Sequence, residues 1–161
     1  MGEKSTATEA GQATAGSSRG VRRILVALDF SPHSDRALDL ALGLAAPLGA
    51  EVHALHVCVL LAHALLEGAH PDAPDFEASV KAGIDQRLAN LQRDTSARGQ
   101  KLVTHRVDGN PAECVLSEAT RLGADLIVVG THGHSGLDRV LLGSVAERVV
   151  RLSKVPVLTV H

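Results

Sequence analysis

The sequence predicts an α/β fold, one doubly wound five-stranded parallel sheet flanked by four helices, and three observations carry that expectation. Short runs of Val, Ile, Leu and Ala alternate with longer stretches whose apolar residues recur at helical spacing, the pattern of strands joined by crossover helices. Turn and cap signals fall at the junctions: Ser31-Pro32, Pro47-Leu48-Gly49, Asp108-Gly109-Asn110-Pro111 and Gly143-Ser144. At 161 residues and 45% hydrophobic content, the chain has the size of a single domain with a proper core.

Taken in order, residues 1–20 contain no Val, Ile, Leu or aromatic residue and are rich in Ala, Gly, Ser and Thr. They lack the apolar stretch of a secretion signal and read as a flexible tail, which leaves the domain to residues 21–161. Strand one is expected from Ile24 to Asp29. Ser31 then caps a helix with Pro32 at its first position, and Ala37, Leu38, Ala41, Leu42 and Ala45 form its inward stripe until Pro47-Leu48-Gly49 stops it. Strand two runs from about Val52 to Val59. Gly68, Pro71 and Pro74 mark a loop over 67–75, and Val80, Ile84, Leu88 and Leu91 give the second helix, which ends near Gly99. Strand three covers about Lys101 to Val107. Asn110 and Pro111 open a third helix with Ala112, Val115, Leu116 and Ala119 inward. Strand four is Leu126 to Gly130, the fourth helix follows Ser144, and strand five closes the chain.

Composition narrows the function by exclusion. With 16 basic against 18 acidic residues the formal charge is −2, so no electrostatic case exists for nucleic acid or an anionic membrane. Trp and Tyr are absent and only Phe30 and Phe76 are aromatic, which removes base-stacking platforms and leaves packing to aliphatic residues. Residues 37–66 are apolar, but Asp39, Pro47, Glu51, His53 and His56 interrupt them, so no membrane span is expected. Cys58 and Cys114 each lie in an apolar segment and read as buried free thiols, which suits a reducing, cytoplasmic compartment.

The stretch from Asp125 to Ser144 holds the chemistry. A buried-strand pattern runs into Gly130-Thr131-His132-Gly133-His134, and Gly143-Ser144 opens the last helix. Gly130 suits a tight turn as the strand ends, and Gly133 lets a bound group approach the main chain without meeting a Cβ. A helix N-terminus adds unpaired N–H groups and the positive end of a dipole, and Ser144 adds a hydroxyl, so the segment suits a phosphate. A Walker-type G-x-x-x-x-G-K-[ST] loop is absent, as is G-x-G-x-x-G after the first strand. His132 and His134 could supply two metal ligands, but only Asp138 stands near them in sequence, so no metal site is assigned to the pair. His33, His53, His56, His63, His70, His105 and His161 read as scattered, with His53 and His56 as ordinary strand residues.

The spacing Gly130-x2-Gly133-x9-Gly143-Ser144 resembles that of the ATP-binding branch of the universal stress protein family. Arg22 to Asp29 is similar to that family's opening strand, Leu55-His56-Val57 to its second, and Lys154 to Val160 to its closing strand. The resemblance implies a Rossmann-like sheet of order 3-2-1-4-5, with the ligand beyond the carboxyl ends of strands one and four, where the winding reverses. It further implies that Ala27 and Val57 flank the adenine, and that Asp29 accepts from a ribose hydroxyl or orients a metal-bound phosphate. Gly130, Thr131, His132, Gly133, His134, Gly143, Ser144 and Val145 would wrap the phosphates of ATP, accompanied by Mg²⁺ or Mn²⁺. Family members often carry proline where Ala27 stands. From its residues alone, Asp29 reads equally well as a turn or cap aspartate.

A nucleotide hydrolase or transferase is the rival class, and a ligand-free interaction module on the same fold is a third. Gly133-His134-Ser135-Gly136 fails as a nucleophile elbow because Leu137 stands where the closing glycine belongs, and acidic residues are too few for a multi-metal mechanism. No catalytic residue is nominated; the expectation is a binding protein, a nucleotide-dependent stress-response switch or sensor answering to a regulatory protein partner. The β-branched run from Val155 to Val160 is expected at the sheet edge, where a second copy could pair with it to form a homodimer.

Overall fold

The computed structural model describes residues 20–60, 75–132 and 142–161. The expected tail up to residue 19, most of the 67–75 loop, and Gly133 and His134 lie outside these described residues. The elements follow the expected alternation: β1 (Arg23–Leu28), α1 (Pro32–Leu48), β2 (Glu51–Cys58), α2 (Phe76–Ala97), β3 (Leu102–Asp108), α3 (Pro111–Leu122), β4 (Leu126–Gly130), α4 (Ser144–Leu152) and β5 (Val157–Val160). All strand pairs are parallel, and the sheet order is β3-β2-β1-β4-β5. Strand order thus runs one way from β1 through β2 to β3, and the other way through β4 to β5.

The strand period of two divides the core between the two faces. Ile24, Val26 and Leu28 of β1 join Ala37, Leu38, Ala41 and Leu42 of α1 and Val80, Ile84 and Leu88 of α2. Leu25 joins Leu55, Ile127 and Val129 with Ala112, Val115 and Ala119 of α3 and Ala146 and Val149 of α4. Two described helices therefore cover each face, and the strands can be apolar on both.

Local chemistry sets the ends. Ser31 caps α1 by accepting the Ser34 N–H at 3.3 Å, and Asn110 caps α3 by accepting that of Glu113 at 3.3 Å, each followed by Pro at the first helical position. The Pro47-Leu48-Gly49 run ends α1 as expected: Pro47 sits inside the last turn, and Gly49 is left-handed at φ 62°, its N–H turning back to the carbonyls of Ala45 and Ala46. β5 is two residues shorter than the Val155–Val160 run, because the Ser153 hydroxyl takes both the N–H and the carbonyl of Val155, at 3.1 and 2.7 Å. Cys58 is buried as expected, whereas Cys114 is only half-buried on α3, within 3.8 Å of the Asp108 carbonyl; both are free thiols.

Candidate functional site

β1 and β4 are neighbours, with Ala27 beside Val129, and their outward connections run to opposite sides. The crevice beyond their carboxyl ends is the switch point at which such sheets hold ligands. Asp29 follows β1, and Gly130 ends β4.

Three consecutive residues turn the chain at the β1 end. Asp29 Oδ1 accepts the Ser31 N–H at 2.9 Å, so Asp29 does serve as a turn aspartate and β1 stops one residue before it. Phe30 is left-handed at φ 61°, a conformation a bulky residue rarely takes. Its ring stacks on that of His56, with centroids 4.6 Å apart, and the Arg87 guanidinium lies 4.1 Å from its centroid. His56 is itself buried, its Nδ1 2.9 Å from the Leu28 carbonyl, so this histidine of β2 braces the loop rather than merely filling a strand position.

The β4 end is a junction of main chains. Gly130 has no positive φ; a Cβ there would lie 2.9 Å from the carbonyl carbon and 3.1 Å from the carbonyl oxygen of His33. Close approach of α1, rather than the tight turn expected from sequence, is why glycine stands there. Thr131 is buried, donates its N–H to Val160 O at 2.7 Å and accepts the Gly143 N–H at 2.7 Å, tying β4, β5 and the start of α4 together. Gly143 is the N-cap of α4, and a Cβ there would meet the Thr131 carbonyl oxygen at 3.1 Å. Ser144 is thus the first helical residue and exposed, and the N-cap position offers no side chain to the first turn. Val145 packs its side chain toward the core around Ala146 and Val149, so only its main chain can face a ligand. Ala27 and Val57 are half-buried on the α3/α4 face of the sheet, side by side with the apolar surface of Leu25, Leu55 and Val115.

His132 is half-buried, but the residues gathered around it are His33 and His161, with ring centroids at 5.3 and 5.5 Å. The Thr131 hydroxyl lies 3.1 Å from His132 Nδ1 and 3.0 Å from His161 Nδ1, and Arg36 Nε donates to the His161 carbonyl at 3.1 Å. Burial lowers the His33 imidazole below its usual range, helped by the charge of Arg36 and by the two neighbouring imidazoles. Reading these histidines as scattered missed the cluster. The available signal was position: each follows closely on the carboxyl end of β1, β4 or β5, and a parallel sheet gathers such residues on one side.

Comparison with known proteins places this geometry in a family. The model of the universal stress protein family matches residues 20–161. The chain is 35% identical over 145 residues to universal stress protein YxiE of Bacillus subtilis, covering 86% of this chain and 98% of that protein. Its fold is similar to the solved structure of protein MJ0577, at TM-score 0.73 and 28% identity, covering 88% of this chain and 96% of that one. A universal stress protein solved in complex with cAMP matches at TM-score 0.63 and 30% identity, over 88% of this chain and 98% of that one. The sheet order, the glycine-bounded junction at its switch point and these likenesses agree: the chain belongs to the universal stress protein family.

Proposed function

We propose that the chain binds ATP in the crevice between β1 and β4 and acts as a nucleotide-dependent switch or sensor in the stress response, not as an enzyme. The observation that carries this reading is the Thr131–Gly143 junction, which aims the first turn of α4 at the carboxyl end of β4 with no side-chain cap at Gly143. Main-chain N–H groups and the helix dipole there suit the phosphates. Ala27 and Val57 supply apolar surface for the base, and Asp29 stands at the crevice for a ribose hydroxyl or for the hydration shell of an accompanying Mg²⁺ or Mn²⁺. Gly130 and Gly143 keep the flanking main chains close, Thr131 positions them, and His132, Ser144 and Val145 border the first turn of α4. The similar protein solved with cAMP supports an adenine nucleotide as the ligand class.

The reading extends to assembly and place. Among the described residues β5 pairs only with β4, and its other edge is the surface on which a second copy would add to form a homodimer. Among the described residues no helix is long and apolar enough to cross a membrane, which accords with work in the cytoplasm.

Ser144→Pro is the test. Proline is favoured at the first helical position, and Gly143 at φ −65°, ψ 154° already has the extended conformation that a following proline requires. The variant should fold normally yet lose one N–H and one hydroxyl at the phosphates. Each lost hydrogen bond to a charged group is worth about 1.5–3 kcal/mol, so ATP binding should weaken by at least about tenfold in titration calorimetry. Unchanged affinity in a folded variant would refute the placement, and absence of ATP binding in the parent protein would refute the function.

A further inference from the structure

We propose that His33, His132 and His161 form a binding site for a single borderline transition-metal ion, Zn²⁺ being the reference case, on the α1/β5 side of the crevice. Each histidine offers one donor atom, and the three donors lie within 4.8 Å of one another. A tetrahedral site with metal–nitrogen bonds of about 2.0–2.1 Å sets its donors roughly 3.4 Å apart, so side-chain rotation over about 1.5 Å closes the set. Three imidazoles of a four-coordinate ion leave one position for solvent.

The frame around the three rings is rigid where it needs to be. His33 lies in the first turn of α1, whose backbone is packed against Gly130. His132 follows Thr131, and Thr131 is buried and bonded through its main chain to Val160 and Gly143. His161 follows β5, and its carbonyl is held by Arg36 of α1. The Thr131 hydroxyl reaches Nδ1 of both His132 and His161, at 3.1 and 3.0 Å, and so orients two of the three rings as outer-shell partners of ligating histidines do. Three separate elements thus converge through fixed backbone, and the side chains alone need to adjust.

The donor set selects the ion. Neutral imidazole nitrogens suit Zn²⁺, Co²⁺, Ni²⁺ and Cu²⁺, whereas Mg²⁺ and Mn²⁺ favour oxygen. The ion held here is therefore chemically different from one that accompanies a polyphosphate, and the inference does not rest on ATP binding. It differs also from the sequence-based pairing of His132 with His134, since its other two ligands come from α1 and from the end of β5.

The test uses the full-length, metal-stripped and nucleotide-free protein, titrated with Zn²⁺ by calorimetry and with Co²⁺ by visible absorption. His33→Ala and His161→Ala are compared with His105→Ala, which alters a histidine on β3 away from the cluster. His161 is exposed, so its substitution leaves folding intact. The expected result is one equivalent of metal, a tetrahedral Co²⁺ spectrum, at least tenfold weaker binding in His33→Ala and in His161→Ala, and parental affinity in His105→Ala, with excess Mg²⁺ failing to compete. No stoichiometric binding at micromolar metal, or equal affinity in all three variants, overturns the site. ATP titrated into His33→Ala and His161→Ala reads the nucleotide proposal separately, since neither residue belongs to it.

Discussion

Two glycine-to-alanine substitutions should move stability in opposite directions. At Gly130 an added methyl would sit 2.9 Å from the His33 carbonyl carbon, 3.0 Å from its Cβ and 3.1 Å from its carbonyl oxygen. Two of those three atoms are backbone in the first turn of α1, and they cannot swing aside as the far end of a side chain would. Either α1 shifts off β4 or the end of β4 bends, and overpacking of this kind costs about 1–3 kcal/mol. At Gly43, on the exposed side of α1, the same methyl meets nothing within 4 Å. There the gain of helix propensity and the loss of chain entropy in the unfolded state should stabilise by about 0.5–1 kcal/mol. At this chain length each kcal/mol moves Tm by roughly 2–4 °C, so Gly130→Ala should melt about 2–12 °C lower and Gly43→Ala about 1–4 °C higher. Scanning calorimetry on the two variants and the parent decides it. A Gly130→Ala protein as stable as the parent would refute the claim that contact with α1, and not turn geometry, demands glycine there.

Three further outcomes follow from other parts of the molecule. Asn110→Ala removes the side-chain acceptor for the Glu113 N–H and should cost about 0.5–2 kcal/mol in urea unfolding; a cost below this range would mean that Pro111 alone sets the start of α3. Burial, followed by the charges of His53 and Arg121, lowers the His105 imidazole below its ordinary 6.5, with the His53 and His105 rings 3.0 Å apart at Nδ1 and Nε2. The unfolded chain then takes up its proton first, so this contribution to stability is present above pH 6.5 and is lost as the pH falls through that value and on through the lower folded one. His105→Gln should flatten this part of the stability–pH curve, and an unchanged curve would exclude the residue as its source. Size-exclusion chromatography with light scattering should give a dimer at micromolar concentration, and Val157→Pro, placed in β5, should shift it to monomer; a monomeric parent would remove β5 as the pairing surface.

Much of the fold was legible because local rules and the global architecture agree. Ser31-Pro32 and Asn110-Pro111 cap their helices as their chemistry requires, and the inward stripe of Ala37, Leu38, Ala41, Leu42 and Ala45 is buried as its spacing implies. The expected sheet order holds. The Pro47-Leu48-Gly49 run ends α1 through the left-handed Gly49, while Pro47 itself is accommodated in the last turn. Cys114 misled because its apolar neighbours Ala112 and Val115 face the sheet, while its own Sγ lies by the Asp108 carbonyl, outside that core.

The candidate site divides along the same line. The chain alone determined that glycines and a helix start follow the fourth strand and that an aspartate follows the first, because backbone freedom and helix ends are properties of a few adjacent residues. Only the tertiary structure decided which distant residues share a space. It packed His33 against Gly130, stacked Phe30 on His56 under Arg87, and brought His161 to His132 through Thr131. Those contacts depend on strand order and on the closeness of α1 to the sheet. The resemblance supplied the strand order, but a linear pattern does not carry the closeness of α1, because non-local packing is set by the burial of all the elements together.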